Sequence, residues 1–166
     1  MSTIRLCKPE ERSAMLAIVN AAATRYHGVI PADCWHEPYM SIDQLERDIA
    51  AGATFWGYED DAGNLLGVMG MQAVRDVELI RHAYVRPDRQ GCGFGGALLK
   101  FLETLSRRQI LIGTWADAEW AIRFYERHGY ELVPRAKAAE LLRTYWTVSA
   151  RQIDTSVVLA KPHVSR

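Results

Sequence analysis

The run Val85-Arg86-Pro87-Asp88-Arg89-Gln90-Gly91-Cys92-Gly93-Phe94-Gly95-Gly96-Ala97-Leu98-Leu99 carries the densest chemical signal in this chain. A β-type run from Leu79 to Val85 ends at a proline turn. Gly91, Gly93, Gly95 and Gly96 follow closely, and an amphipathic helix begins behind them. Glycines spaced this tightly clear side chains from a place where backbone must approach something bulky, and they permit dihedrals closed to other residues. The helix start offers unpaired N–H groups and a positive dipole end to an anion. Arg86, Arg89 and Gln90 add donors at the same mouth. The chemistry this arrangement serves is pyrophosphate binding.

Two kinds of nucleotide site share that description. Gly91, Gly93 and Gly96 match G-x-G-x-x-G, and Asp117 follows at about 20 residues, where the dinucleotide fingerprint places its ribose acid. That fingerprint sets its first glycine at the strand end, whereas Pro87 and its neighbours separate Val85 from Gly91. It also expects further βαβ units after the loop. A phosphate-binding P-loop is excluded, because no Lys-Ser or Lys-Thr follows the glycines. Gln90-Gly91-Cys92-Gly93-Phe94-Gly95, set behind a strand and V-x-P, instead resembles the Q/R-x-x-G-x-G/A motif of the GNAT superfamily of acyl-CoA N-acyltransferases. Downstream, Ala121-Ile122-Arg123-Phe124-Tyr125-Glu126-Arg127-His128-Gly129-Tyr130 resembles that superfamily's A-x-x-F-Y-x-x-x-G-F/Y signature, one strand and one helix beyond the glycine loop. The resemblance covers roughly residues 1–133 and is looser over 134–166.

The resemblance implies a single domain over 1–166 of α/β (α+β) class: a mixed, mostly antiparallel sheet flanked by helices, with two central strands splayed apart. It implies acetyl-CoA as co-substrate. Its pantetheine arm would meet backbone at Ala83, Tyr84 and Val85, and its pyrophosphate would lie on Gln90, Gly91, Cys92, Gly93, Phe94, Gly95 and Gly96. Tyr125, the signature tyrosine, would protonate the departing thiolate, or else pack against the cofactor. One position departs from the family: Ala118 stands where an asparagine usually binds the pantetheine arm. Cys92 reads as a variable position between glycines rather than a nucleophile.

Deprotonating the acceptor amine calls for a base. Glu78 and His82 are the candidates, because i and i+4 on a strand share a face while Leu79, Arg81 and Ala83 point the other way. The family's glutamate position falls on Leu79, so Glu78 is one residue out of register unless a bulge intervenes. His82 reads equally as a packed core histidine, and proton loss through water is a third route. On the acceptor side, Arg81 would pair a carboxylate, and Tyr26 and Trp35 would wall the substrate or cement their segment to the core. Tyr39, Tyr145 and Trp146 are further aromatics of these segments. The acceptor is expected to be a small-molecule amine, an amino acid or a peptide. A rival from another class is a catalytically weak acyl-CoA-binding regulatory module.

The elements that must position these residues follow from pattern. Strands are expected at Ile4–Cys7, Thr54–Tyr58, Leu65–Val74, Val77–Val85, Ile110–Trp115, Tyr130–Val133 and Ile153–Ala160. Helices are expected from Pro9 to Ala23, from a capping box at Ser41 to Ala51, from the glycine loop to Arg107, over Glu119–His128 and over Ala136–Tyr145. The 166 residues balance 20 Lys and Arg against 20 Asp and Glu, so no general pull toward nucleic acid or membrane is implied. Cys7, Cys34 and Cys92 lack metal or disulfide spacing, and no apolar run reaches the roughly 18 residues of a membrane span. These features point to a cytoplasmic protein without a metal, and leave a homodimer open.

Overall fold

The computed structural model describes residues 3–162; the ends of the predicted 1–166 domain lie outside the described residues. Seven strands form one sheet in the order β1-β2-β3-β4-β5-β7-β6. They are β1 (Thr3–Leu6), β2 (Thr54–Glu59), β3 (Leu65–Val74), β4 (Val77–Val85), β5 (Gln109–Trp115), β6 (Glu131–Leu132) and β7 (Ser156–Ala160). Every pairing is antiparallel except β4–β5, which the helix α3 (Phe94–Leu105) joins as a parallel crossover.

Two layers of helix cover the sheet. In α1 (Arg12–Ala23), Met15, Ile18, Val19, Ala22 and Ala23 recur at helical spacing and are buried, as an amphipathic stripe requires. With Leu45 of α2 (Ile42–Ala50), Met15, Ile18 and Val19 pack on Phe55, Leu65 and Val68. Neighbouring strand residues point the opposite way. Met69, Ile80, Ile112 and Leu159 accordingly meet Leu98, Leu99 and Leu102 of α3 and Tyr125 of α4 (Glu119–Arg127). On the α1 side of the sheet, α5 (Arg135–Tyr145) lays Ala138 and Leu142 on Val77, Leu79, Leu111 and Val158.

Several boundaries differ from the sequence pattern. Pro9–Glu11 forms a 3-10 turn that feeds α1 instead of its first α-helical turn. Ser41 caps α2 by accepting from the Gln44 N–H at 3.1 Å, but Gln44 reaches forward to Asp48 at 3.0 Å, so only half of the capping box forms. Ile153–Thr155 belongs to a short helix, α6 (Ala150–Thr155), whose start carries the complete box of Ser149 and Gln152. The last strand therefore begins at Ser156.

Two irregularities shape the centre of the sheet. Parallel pairing of β4 with β5 runs from Val77↔Gln109 to Ile80↔Ile112 and stops there, while β5 continues to Trp115 against β7. The strands thus splay beyond Ile80. In the same stretch Val68 pairs with Tyr84 and Gly70 with Arg81, so Met69 stands opposite both His82 and Ala83. That is a β-bulge, and His82 occupies the left-handed region with φ 53°.

Candidate active site

The bulge reorders the side chains on which the sequence reading depended. Arg81 and His82 both turn to the α2 side: Arg81 Nη2 lies 3.5 Å from Asp48 Oδ1, and His82 Nε2 lies 2.7 Å from Asp48 Oδ2. Ala83 joins the α3 side and Tyr84 the α1 side. Glu78 and His82 therefore do not share a face, because the extra residue resets the alternation between them. Glu78 is hydrogen-bonded by Ser106 at the end of α3 and lines neither cavity of the splay. The His82 ring stacks on Phe55 at a centroid distance of 6.0 Å, and burial holds its imidazole below the ordinary value even though the bond to Asp48 pulls upward. Burial alone would raise the Asp48 carboxyl, but the bond from His82 and the Arg81 charge outweigh it and leave the group lowered. Arg81 also donates to Gln72 Oε1 at 2.8 Å. It is paired internally, with partners other than the neighbouring Asp76 or Glu78.

On the α3 side, a groove of about 830 Å³ runs between the end of β4, the glycine loop and α4. Gly91 and Gly93 take φ values of 79° and 84°, and Gly93 is the N-cap of α3 with no side chain bonded over it. The first bond in the helix is Ala97 N–H to Gly93 O at 3.0 Å, which leaves the N–H groups of Phe94, Gly95 and Gly96 facing the loop without helical partners. Gly95 and Gly96 have a packing reason as well. A Cβ on Gly96 would stand 2.8 Å from His128 Nε2, and one on Gly95 3.4 Å from the Phe124 ring, so α4 approaches α3 across glycine. Phe94 stacks on Tyr58 at 4.4 Å. Gln90 is exposed and donates to Val85 O at 3.3 Å. Cys92 is exposed and points outside the groove lining, in contrast to its neighbours in the predicted phosphate set.

The groove rim is cationic. Arg25, Arg89, Lys100, Arg123 and Arg127 all line it. Only Arg89 was legible in the sequence; the rest come from three separate helical segments that the fold brings together. Arg25 rests over the Trp120 ring at 4.2 Å, and Arg123 pairs with Glu119 at 3.0 Å.

Beyond the splay, a smaller cavity of about 180 Å³ opens on the α1 and α5 side. Tyr26, Ala83, Tyr84, Ala121 and Tyr125 line both spaces and mark where they meet. Tyr125 is buried, held against Phe124 and Tyr130, and its hydroxyl has no hydrogen-bond partner among the described residues. Burial pushes its phenol well above the ordinary value, so it stands protonated at the junction. Trp115 donates its indole N–H to the Tyr39 hydroxyl at 2.7 Å, and Trp146 lies flat over Gly113. Trp35 sits behind this wall, stacked between His27 and Tyr39, and touches neither cavity. Ala118 is fully buried among Ala23, Tyr26 and Cys34, and lines neither space.

The family model for the acetyltransferase (GNAT) domain matches residues 51–132, from the end of α2 through β6. No curated protein matches the chain. Among solved structures, the PaiA N-acetyltransferase from Thermoplasma acidophilum in complex with coenzyme A superposes with a TM-score of 0.73 at 15% identity, covering 98% of this chain and 99% of that one. The ribosomal-protein-S18-alanine N-acetyltransferase of Escherichia coli gives 0.66 at 19% identity over 98% and 94%. The spermidine N-acetyltransferase of Vibrio cholerae, with CoA and spermine, gives 0.60 at 19% identity over 80% and 82%. With the splayed sheet, the glycine loop and the Phe-Tyr helix in place, the chain belongs to the GNAT superfamily of acyl-CoA N-acyltransferases.

Proposed function

We propose that the protein transfers an acetyl group from acetyl-CoA directly to a primary amine. The observation that carries this reading is the meeting of two cavities at Tyr125, one lined by phosphate-binding backbone and cations, the other by aromatic side chains. The groove residues fit coenzyme A: unpaired N–H groups at the start of α3, the φ of Gly91 and Gly93, and five cations at the rim suit a pyrophosphate with its further phosphate. When bound, acetyl-CoA supplies an activated thioester; the amine attacks its carbonyl, a C–N bond forms, and the C–S bond breaks to release a thiolate.

The chain's own residues then have separable tasks. Backbone of β4 beyond Ile80, freed from β5 by the splay, extends along the pantetheine arm and offers N–H groups to the developing oxyanion. Tyr125, protonated and without another partner, gives its proton to the leaving sulfur and regains one from solvent. Glu78 takes no part in this reading, since it is bonded to Ser106 and lines neither cavity. His82, kept neutral by burial and oriented by Asp48, lines the smaller cavity, so the amine loses its proton to this imidazole or to water beside it, while the same residue holds the bulge. The unpaired thiols Cys7, Cys34 and Cys92 suit a cytoplasmic setting.

The test compares acetyl-CoA with NADH by thermal shift, then measures free thiol with a panel of amines. Acetyl-CoA at about 100 times its Kd should stabilise the fold by about 2.7 kcal/mol. A shift with NADH alone overturns the reading, and a shift with acetyl-CoA but no thiol release from any amine leaves a regulatory binding module in its place.

A further inference from the structure

We propose that the acceptor is a small primary amine carried on a single aromatic ring, with no second positive charge. This rests on reading the smaller cavity as the acceptor half of an acyl-transfer site.

Size is the first constraint. A cavity of about 150 Å³ takes a benzene ring, and this one measures about 180 Å³ and is partly open to solvent. A ring with a short arm fills it, whereas a longer chain would extend beyond its walls.

The walls supply the second constraint. Trp146 comes from the segment that joins α5 to α6, and its ring lies against Gly113 of β5. A Cβ on Gly113 would stand 3.2 Å from the indole, so a side chain there would push the ring outward by a few tenths of an ångström. Tyr26, Tyr39 and Trp115 supply further rings to the lining. These four aromatic side chains around a space of ring dimensions match an aromatic body, with Arg81, His82, Thr114, Gln152 and Ser156 making up the polar part of the wall.

Charge is the third constraint. Among the described residues no carboxylate lines the cavity, and Arg81 is the only wall residue with a fixed charge. Its guanidinium is already bonded to Gln72 and Asp48. A second ammonium held inside the cavity would find no counter-ion in its walls, where an unpaired buried charge is strongly disfavoured, and one carried outside on a longer chain gains no partner from them. An acceptor carboxylate would find Arg81 occupied. The reacting amine escapes the same penalty because it is neutral when it attacks, and a space without anions favours that neutral form. The hydroxyls of Tyr26, Tyr39 and Tyr84, kept uncharged by burial, offer it hydrogen-bond acceptors.

The experiment first confirms an acetyl-CoA melting shift, then measures kcat/KM by free thiol for 2-phenylethylamine, spermidine and a lysine-containing peptide. 2-Phenylethylamine should exceed the other two by about 100-fold, within the span a hydrophobic pocket discriminates. Trp146→Ala should remove that preference while the acetyl-CoA shift stays. Gly113→Ala, which only displaces the indole, should lower kcat/KM for 2-phenylethylamine without altering the shift, and serves as the second variant if Trp146→Ala fails to fold. An acetyl-CoA shift with spermidine or the peptide preferred, or with no turnover of 2-phenylethylamine, overturns the acceptor assignment and leaves acyl-CoA binding intact. No acetyl-CoA shift overturns the underlying reading itself.

Discussion

Asp48→Asn tests whether the buried pair with His82 sets the bulge of β4. Asp48 is 7% exposed and accepts from His82 at 2.7 Å, Gln44 at 3.0 Å and Arg81 at 3.5 Å. Asparagine keeps the shape but loses the charge and one acceptor oxygen. A hydrogen bond to a charged group is worth about 1.5–3 kcal/mol. In a domain of this size each kcal/mol moves Tm by about 2–4 °C, so the melting point should fall by about 3–12 °C. The loss should deepen toward acid. Burial holds the folded His82 below 6.5 while Asp48 pulls it upward. As pH falls past 6.5 the unfolded imidazole therefore takes up its proton first, and stability present above that value is lost below it. Without the Asp48 charge the folded value drops further, which widens the acid window. In the enzyme assay, thiol release should fall more than the acetyl-CoA melting shift does, because the glycine loop proposed to bind phosphate lies beyond the bulge. Glycine adopts φ 53° without strain, so in a His82→Gly background the Asp48→Asn change should no longer depress thiol release. An Asp48→Asn protein that melts like the parent at pH 7 and at acid pH would refute the reasoning, and so would an undiminished effect on thiol release in the glycine background.

Three shorter expectations accompany it. Tyr125→Phe should lower kcat by about 10²–10⁴, the span for a positioned acid, with the acetyl-CoA melting shift retained; unchanged kcat where chemistry limits turnover would reduce Tyr125 to a wall. Gly93→Val should abolish the acetyl-CoA shift, since a β-branched residue resists φ 84° although protein leaves the space open. Gly70→Ala should cost about 1–3 kcal/mol by denaturant unfolding, because its Cβ would stand 2.9 Å from the Phe55 ring and 3.0 Å from the Arg81 carbonyl oxygen.

Local pattern carried most of the elements. The stripe of α1, the turn at Gly63 and the glycine stop after α4 are signals whose cause lies within a few residues of their effect, and they form where pattern puts them. Failures came where one local signal overrides another. Ile153 reads as a strand residue by its β-branch, yet Ser149 and Gln152 close a capping box ahead of it and hold one more helical turn. Gln44 could have completed the box at Ser41, but Asp48 lies one turn on and needs a donor.

The site divides along the same line. The half proposed to hold phosphate is written in consecutive residues, because backbone N–H groups and glycine dihedrals are local properties, so Gln90 through Gly96 can be nominated without a fold. The cations Arg25, Lys100, Arg123 and Arg127 were not, since nothing in their own neighbourhoods distinguishes them from solvated surface charges until the 3-10 turn after α1 converges with α3 and α4. The face of each β4 side chain is the sharper case. A strand read at period two puts Glu78 beside His82; a single left-handed residue undoes this and gives His82 to Asp48, a partner more than thirty positions away. Histidine in the left-handed region is strained, and strain of that kind persists only where surroundings over-determine it. Here they do: the bond to Asp48, the stack on Phe55 and the Arg81 bonds to Gln72 and Asp48 all act within one turn of chain. The groups that sequence marked as a catalytic pair are thereby split, and one of them is used to bend the strand whose backbone is proposed to face the thioester.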